Sequence, residues 1–209
     1  MALVGPCTKL QARLQGMDKV YTGTIRLGGQ DLTQLEERER TLLRRREVGY
    51  VFQFFNLMPN LTVEENIGLP ISIAGGEPAA SRDRIRAQAD TLGIGHRIGA
   101  YPHELSGGEM QRASIARALV GGQKLLLCDE PTGNLAQKAG AEVMELLRRA
   151  REEEGRTIVL VTHNPRDAAF ADRVLFLVDG VLATDTELRR GAAPLAAEDI
   201  HAALARLSI

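Results

Sequence analysis

Leu125-Leu126-Leu127-Cys128 is an unbroken apolar run that ends on two carboxylates, Asp129 and Glu130. A half-exposed strand alternates apolar and polar residues. A run without alternation reads as a strand buried on both faces, as in a parallel sheet covered by helices. Pro131 biases Glu130 toward an extended backbone, so a helix is not expected to start before it. Two other runs share the pattern: Val48 to Phe52 ends at Gln53, and Thr157 to Thr162 ends at His163. The carboxyl ends of parallel strands share one sheet edge, and ligands bind there. The expected class is α/β with a mostly parallel sheet, its polar strand ends converging.

The stretch before the apolar run is Leu105-Ser106-Gly107-Gly108-Glu109-Met110-Gln111-Arg112. Ser106 and Glu109 have capping-box spacing, which places a helix start at Ser106. Gly107 and Gly108 carry no Cβ, so their amides allow a ligand to approach closely. A helix N-terminus of this kind suits an anion. The helix continues to Val120 and stops at Gly121-Gly122. A capping box alone, or an acid after a strand alone, is more often structural than functional. The two in this order point to phosphate chemistry.

This stretch resembles the signature and Walker B motifs of ABC-type ATPases. The resemblance extends through Gln53 and the following FFNLMPNLTVEEN, through Thr132-Gly133-Asn134-Leu135-Ala136, and through VTHNP at His163. It implies a P-loop NTPase-like (RecA-like) core, residues 1–54 and 119–209, and an ABC helical (signature) subdomain, residues 55–118. It also implies ATP and Mg²⁺ as cofactors. Asp129 would bind Mg²⁺ through water, Glu130 would polarise the attacking water, and Gln53 would contact the metal or that water. His163 would contact the γ-phosphate. Ser106, Gly107 and Gly108, with Gln111 in the same motif, would close over ATP held by the opposite subunit of a homodimer or a paired ABC subunit. Ala136 stands where the family usually carries an acid.

The same resemblance places a phosphate-binding loop after a short strand at Met1 to Val4. The residues there are Gly5-Pro6-Cys7-Thr8-Lys9-Leu10-Gln11. The loop pattern needs a second glycine and a Ser or Thr after the lysine, and neither is present. Gly5, Thr8 and Lys9 are the candidates for phosphate contact; Lys9 reads equally well as a surface lysine. Losing three charge-assisted bonds at ~1.5–3 kcal/mol each would cost at least about three decades of affinity.

Elsewhere the patterns are ordinary. Thr24 to Leu27 suits a strand with Gly28-Gly29 as its turn. Thr33 and Glu36 have capping-box spacing before a charged helix reaching about Arg46. Thr62 and Glu65 open a helix expected to break near Pro70. Ser81 to Leu92 has Ile85, Ala89 and Leu92 on one side, and Glu142 to Glu154 turns Val143, Leu146, Leu147 and Ala150 inward. Asp179-Gly180 marks a hairpin. The tail from Pro194 to Leu207 is an amphipathic helix for packing or dimer contact. Phe54, Phe55, Leu57 and Met58 form an apolar cluster that is either subdomain core or a groove for a partner helix.

With 209 residues and a formal net charge of −1, the chain suits one α/β domain with an appended subdomain, and no nucleic-acid partner is expected. Two cysteines, Cys7 and Cys128, argue against a disulfide scaffold. No apolar run approaches the ~20 residues that span a bilayer, and no leader peptide is expected.

The reading this supports is the ATP-binding and ATP-hydrolysing subunit of an ABC transporter, most similar to the lipoprotein-release and macrolide-export type. It would sit at the cytoplasmic face of the membrane, docked on a permease through Gln53–Leu61. The alternative is a degenerate or truncated ABC module that keeps the partner interface and binds ATP poorly.

Overall fold

The computed structural model describes residues 2–4, 24–179, 181–183, 186–191 and 193–207, which fall into two compact units: residues 45–158, and the described residues before 45 together with those after 158.

The unit of residues 45–158 is built on two parallel strands, β4 (Val48–Val51) and β5 (Leu125–Asp129). Their register pairs Val48 with Leu125 and Val51 with Cys128. Phe52-Gln53 and Asp129-Glu130 therefore leave the sheet at the same edge. Val51 and Leu126 are fully buried, each worth ~1.5–3 kcal/mol relative to exposure.

Helix α4 (Gly107–Leu119) lies against β4. Its approach is set by Gly49, where an added Cβ would fall 2.2 Å from the Ala118 carbonyl oxygen. The expected capping box forms: Ser106 N–H donates to Glu109 at 2.8 Å, and Glu109 N–H to the Ser106 hydroxyl at 3.4 Å. Helices α2 (Val63–Ile73) and α3 (Arg82–Thr91) pack on α4 and on each other. Thr62 and Glu65 form the second expected capping box. Helix α2 is not broken at Pro70 but runs through it to Ile73. Buried Ile67 and Ile71 flank the proline, and their packing outweighs the missing N–H. On α3, Ile85 and Ala89 are buried, with Leu92 beyond its end, and Gly93 turns the chain at φ 68°. Helix α5 (Gln137–Glu152) starts earlier than the sequence suggests and buries Val143, Met144, Leu147 and Ala150, with Leu146 at the margin.

In the other unit, β1 (Ala2–Val4) lies between β7 (Arg173–Val178) and the part of β6 (Thr157–Thr162) from Val159 on, parallel to both. Val4 is opposite Thr162. Two short antiparallel strands, β8 (Val181–Leu182) and β9 (Leu188–Arg189), flank β7. A separate hairpin joins β2 (Arg26–Leu27) to β3 (Gln30–Asp31) through Gly28 and Gly29, both at positive φ as such a turn requires.

The Thr33–Glu36 capping box does not form. Asp31 instead caps a single 3₁₀ turn, Leu32–Gln34, accepting from Thr33 N–H at 2.9 Å. Helix α1 (Glu37–Glu47) starts after it, with the Glu39 carboxylate accepting from Glu36 N–H. After β6 comes the single turn α6 (Pro165–Ala168), and the tail forms α7 (Ala197–Leu207), which packs on α6 through buried Ile200 and Ala203. Among the described residues, no helix is long and apolar enough to cross a membrane.

Candidate functional site

The strand edge after β4 and β5 gathers three of the polar residues singled out above. Gln53 follows β4 by two residues, Asp129 ends β5 and Glu130 follows it; all three are half-buried. Glu130 is not extended, as Pro131 would favour, but takes a left-handed φ of 44°. That conformation is sterically costly for a residue with a Cβ. The turn after it holds the conformation, with Gly133 N–H donating to the Glu130 carbonyl at 3.0 Å. Such outliers cluster at functional sites.

The turn also closes on Gln53. Asn134 Nδ2 donates to the Gln53 carbonyl at 2.9 Å. A Cβ on Gly133 would lie 2.9 Å from Gln53 Nε2, so a side chain there would push the Gln53 amide out of this position. Beneath the edge, Gln111 of α4 is fully buried. Its Nε2 donates to the Pro131 carbonyl at 2.7 Å and to that of Phe52 at 3.4 Å, while its Oε1 has no partner. The signature helix is thereby tied to both strand ends.

The start of α4 lies beside the same turn. A Cβ on Gly107 would sit 3.3 Å from Leu135 Cδ2, and one on Gly108 would sit 3.3 Å from Ala139 Cβ. Both glycines thus allow close packing against the turn. The Ser106 hydroxyl donates to Glu109 at 2.7 Å. Those Ser106 bonds hold the Glu109 carboxyl below the usual carboxylate range, with Arg97 and His96 adding their charges.

The loop after Gln53 is fixed from two sides. Phe55 and Asn56 take positive φ of 61° and 50°. Arg117 of α4 donates to the carbonyls of Phe55 at 2.9 Å and Asn56 at 2.5 Å. Burial lowers the pKa of this guanidinium. Fully buried Asn66 of α2 accepts from Met58 N–H at 2.7 Å and donates to the carbonyls of Met58, Leu61 and Thr62. The loop presents Phe54, 71 % exposed, and Met58, 47 % exposed. The sequence reading missed Arg117 and Asn66. A single arginine inside the apolar run of ASIARALV, and an asparagine on the buried side of α2, were the signals available.

In the other unit, His163 is exposed directly after buried Thr162. The Thr162 hydroxyl accepts from Asn164 N–H at 3.0 Å, and Asn164 caps α6. The phosphate-loop candidates Gly5, Thr8 and Lys9 lie outside the described residues. Cys128 is a buried core thiol, pushed up to about 12 by desolvation.

The profile of the ABC transporter family matches residues 2–133, more than half of the chain. The chain belongs to the ABC transporter family. It is 40% identical over 207 residues to the macrolide export ATP-binding/permease protein MacB of Syntrophobacter fumaroxidans, covering 95% of this chain and 29% of that protein. It therefore spans about three tenths of the MacB relative's length. It is 43% identical over 169 residues to the lipoprotein-releasing system ATP-binding protein LolD of Geobacter metallireducens, covering 81% of this chain and 75% of LolD. Among solved structures, the ATP-binding cassette MJ0796, a dimer in a post-hydrolysis state bound to ADP and Pi, matches with a TM-score of 0.78 and 33% identity. That match covers 91% of this chain and 85% of the other. The α/β class and the P-loop NTPase-like core with a mostly parallel sheet agree with these relatives, as does membership among ABC ATPases.

Proposed function

We propose that this chain is the ATP-hydrolysing subunit that drives transport through a separate membrane permease, working as a dimer or with a paired ABC subunit. The observation that carries the reading is Glu130, held at φ 44° beside Asp129 and bridged through the Gly133-Asn134 turn to Gln53. Triphosphate hydrolysis needs an oriented water, a metal and charge neutralisation. Glu130 polarises the water and Gln53 orients it. His163 contacts the γ-phosphate. Asp129, with Gln53, offers oxygen ligands for Mg²⁺. Such sites use one or two carboxylates completed by phosphate and water oxygens, and no cluster of three metal-ligating side chains occurs among the described residues. When bound, Mg²⁺ neutralises developing phosphate charge.

Ser106, Gly107 and Gly108 present the start of a 13-residue helix to ATP held on the opposite subunit. Gln111 supports that face from below, through the two strand ends. Gly5, Thr8 and Lys9 remain the candidates for holding the chain's own nucleotide. We assign residues 1–54 and 119–209 to the ATPase core and 55–118 to the signature subdomain. Phe54 and Met58 in Gln53–Leu61 supply the exposed apolar contact for the permease, which puts the chain at the cytoplasmic face of the membrane. The names of LolD and MacB support this class of role.

The test is steady-state phosphate release from the purified chain, with and without a permease, against Glu130→Gln. Turnover above about 1 s⁻¹ that the variant loses supports the assignment. The missing second glycine in Gly5–Gln11 favours a second reading, an ABC module that pairs but binds ATP poorly. Background turnover together with intact pairing supports that reading instead.

A further inference from the structure

We propose that a second ligand site lies on the far side of the signature subdomain, at the amino end of β4. Its ligand is a small phosphomonoester bearing a hydroxyl group. A groove of about 380 Å³ opens there between the end of α1, the end of α2, the start of α3 and the turn after α4. That volume falls in the range of small-molecule sites, roughly 300–1,000 Å³. All of its lining residues belong to the unit of residues 45–158. It shares none of them with the strand-edge site described above.

Three arginines line the groove: Arg45, Arg46 and Arg84. Arg46 is paired with Glu47 at 2.8 Å. Arg45 and Arg84 have no carboxylate partner among the described residues. Arg45 makes a long bond, 3.4 Å, to the Ile73 carbonyl at the end of α2. Three helix C-termini, of α1, α2 and α4, border the groove and carry about half a negative charge each. The start of α3 contributes about half a positive charge. Together these helix ends offset about one arginine; with Arg46 paired to Glu47, Arg45 and Arg84 still leave the groove a net positive charge. Ser81, the N-cap of α3, also lines the groove and makes no capping bond with its side chain.

The second observation is Gln123, which lines the groove and is only 4% exposed. Its Nε2 reaches the Arg45 carbonyl at 3.4 Å, while its Oε1 is buried without a hydrogen-bond partner. Gly121 makes room for this side chain, since a Cβ there would stand 2.3 Å from Gln123 Nε2. A buried acceptor without a donor is costly. A bound hydroxyl would satisfy it while the phosphate engages Arg45 and Arg84. Pro70 and Ile71 supply an apolar wall for the carbon atoms between the two groups. This combination separates the proposed ligand from inorganic phosphate, which offers the charge without the apolar part.

The test is titration calorimetry of the full chain with glycerol 3-phosphate, inorganic phosphate and glycerol, in chloride of matched ionic strength. Saturable binding of glycerol 3-phosphate, tighter than inorganic phosphate, is expected. Arg45→Gln and Arg84→Gln should each weaken it about tenfold, the loss of one charge-assisted contact. Gln123→Met should narrow the gap between glycerol 3-phosphate and inorganic phosphate, leaving the part that Pro70 and Ile71 supply; an unchanged gap counts against the hydroxyl contact. Glu130→Gln should leave binding unchanged, which separates this groove from the strand-edge site. Pelleting with phosphatidic acid vesicles that fails in Arg84→Gln would identify a lipid headgroup as the source of the phosphomonoester; binding of only the soluble ester would identify a metabolite. Heats that do not saturate, or that persist when both arginines are replaced in a protein with native circular dichroism, overturn the proposal.

Discussion

Replacing Arg117 by methionine tests whether the loop after Gln53 is held from outside. The two guanidinium bonds, at 2.5 Å to Asn56 and 2.9 Å to Phe55, come from a charged donor. Such bonds contribute ~1.5–3 kcal/mol each, so the pair is worth about 3–6 kcal/mol gross. Methionine also removes a partly desolvated cation, which returns part of that sum. The expected net loss from Arg117→Met is ~1–3 kcal/mol, read from urea unfolding. The distribution of the effect is more telling than its size. Phe55 and Asn56 sit at positive φ, at a cost of roughly 1–2 kcal/mol per residue, less for asparagine. Without the clamp they should relax, and hydrogen exchange across residues 54–62 should accelerate far more than across β4 or β5. Asn56→Gly makes the left-handed turn easier. Its effect on stability should therefore differ between wild type and Arg117→Met, with a coupling of at least ~0.5 kcal/mol. Wild-type protection across 54–62 in Arg117→Met, or additive effects, would refute the reasoning.

Three further outcomes follow. Glu109 has a native pKa below its ordinary 4.5, through its Ser106 bonds and then Arg97 and His96. The stability this lends is complete above that value and lost as pH falls through the native pKa. Glu109→Gln should therefore flatten the acid limb of the stability curve, and an unchanged slope would count against the coupling. Gly49→Ala would drive a Cβ to within 2.2 Å of the Ala118 carbonyl; a loss of about 3 kcal/mol, seen as a Tm drop of about 6–12 °C, is expected, and an unchanged Tm would show that α4 shifts freely. In a Cys7→Ser background, Cys128, buried with its pKa near 12, should react with a thiol reagent only as fast as the protein unfolds; faster labelling would contradict the burial.

What was readable in the sequence was local. Ser106 with Glu109, and Thr62 with Glu65, form caps whose partners lie three residues apart. The runs ending at Gln53, Asp129 and His163 declare buried strands by composition alone. What was not readable depends on distant partners. Nothing near Glu130 announces its left-handed backbone; proline at 131 argues for the opposite. The bend at Phe55 and Asn56 rests on Arg117, some sixty positions away. Pro70 was misread because helix rules see a missing N–H and not the buried Ile67 and Ile71 beside it. Thr33 lost its expected role to Asp31, two residues earlier and better placed to accept its N–H. Ser106 to Gly108, Gln53, Gln111, Asp129 and Glu130 meet within one unit.

Gln111 gives this arrangement a mechanical character. One amide nitrogen is shared by the peptide carbonyls of Phe52 and Pro131, which belong to loops leaving different strands. A fluctuation of either loop therefore pulls on the other through a single side chain. The jitter of Gln53 and of Glu130 should be correlated, not independent, as with two levers pinned to one axle. Noise damped at one strand end is damped at the other, and a push on α4 arrives at both together.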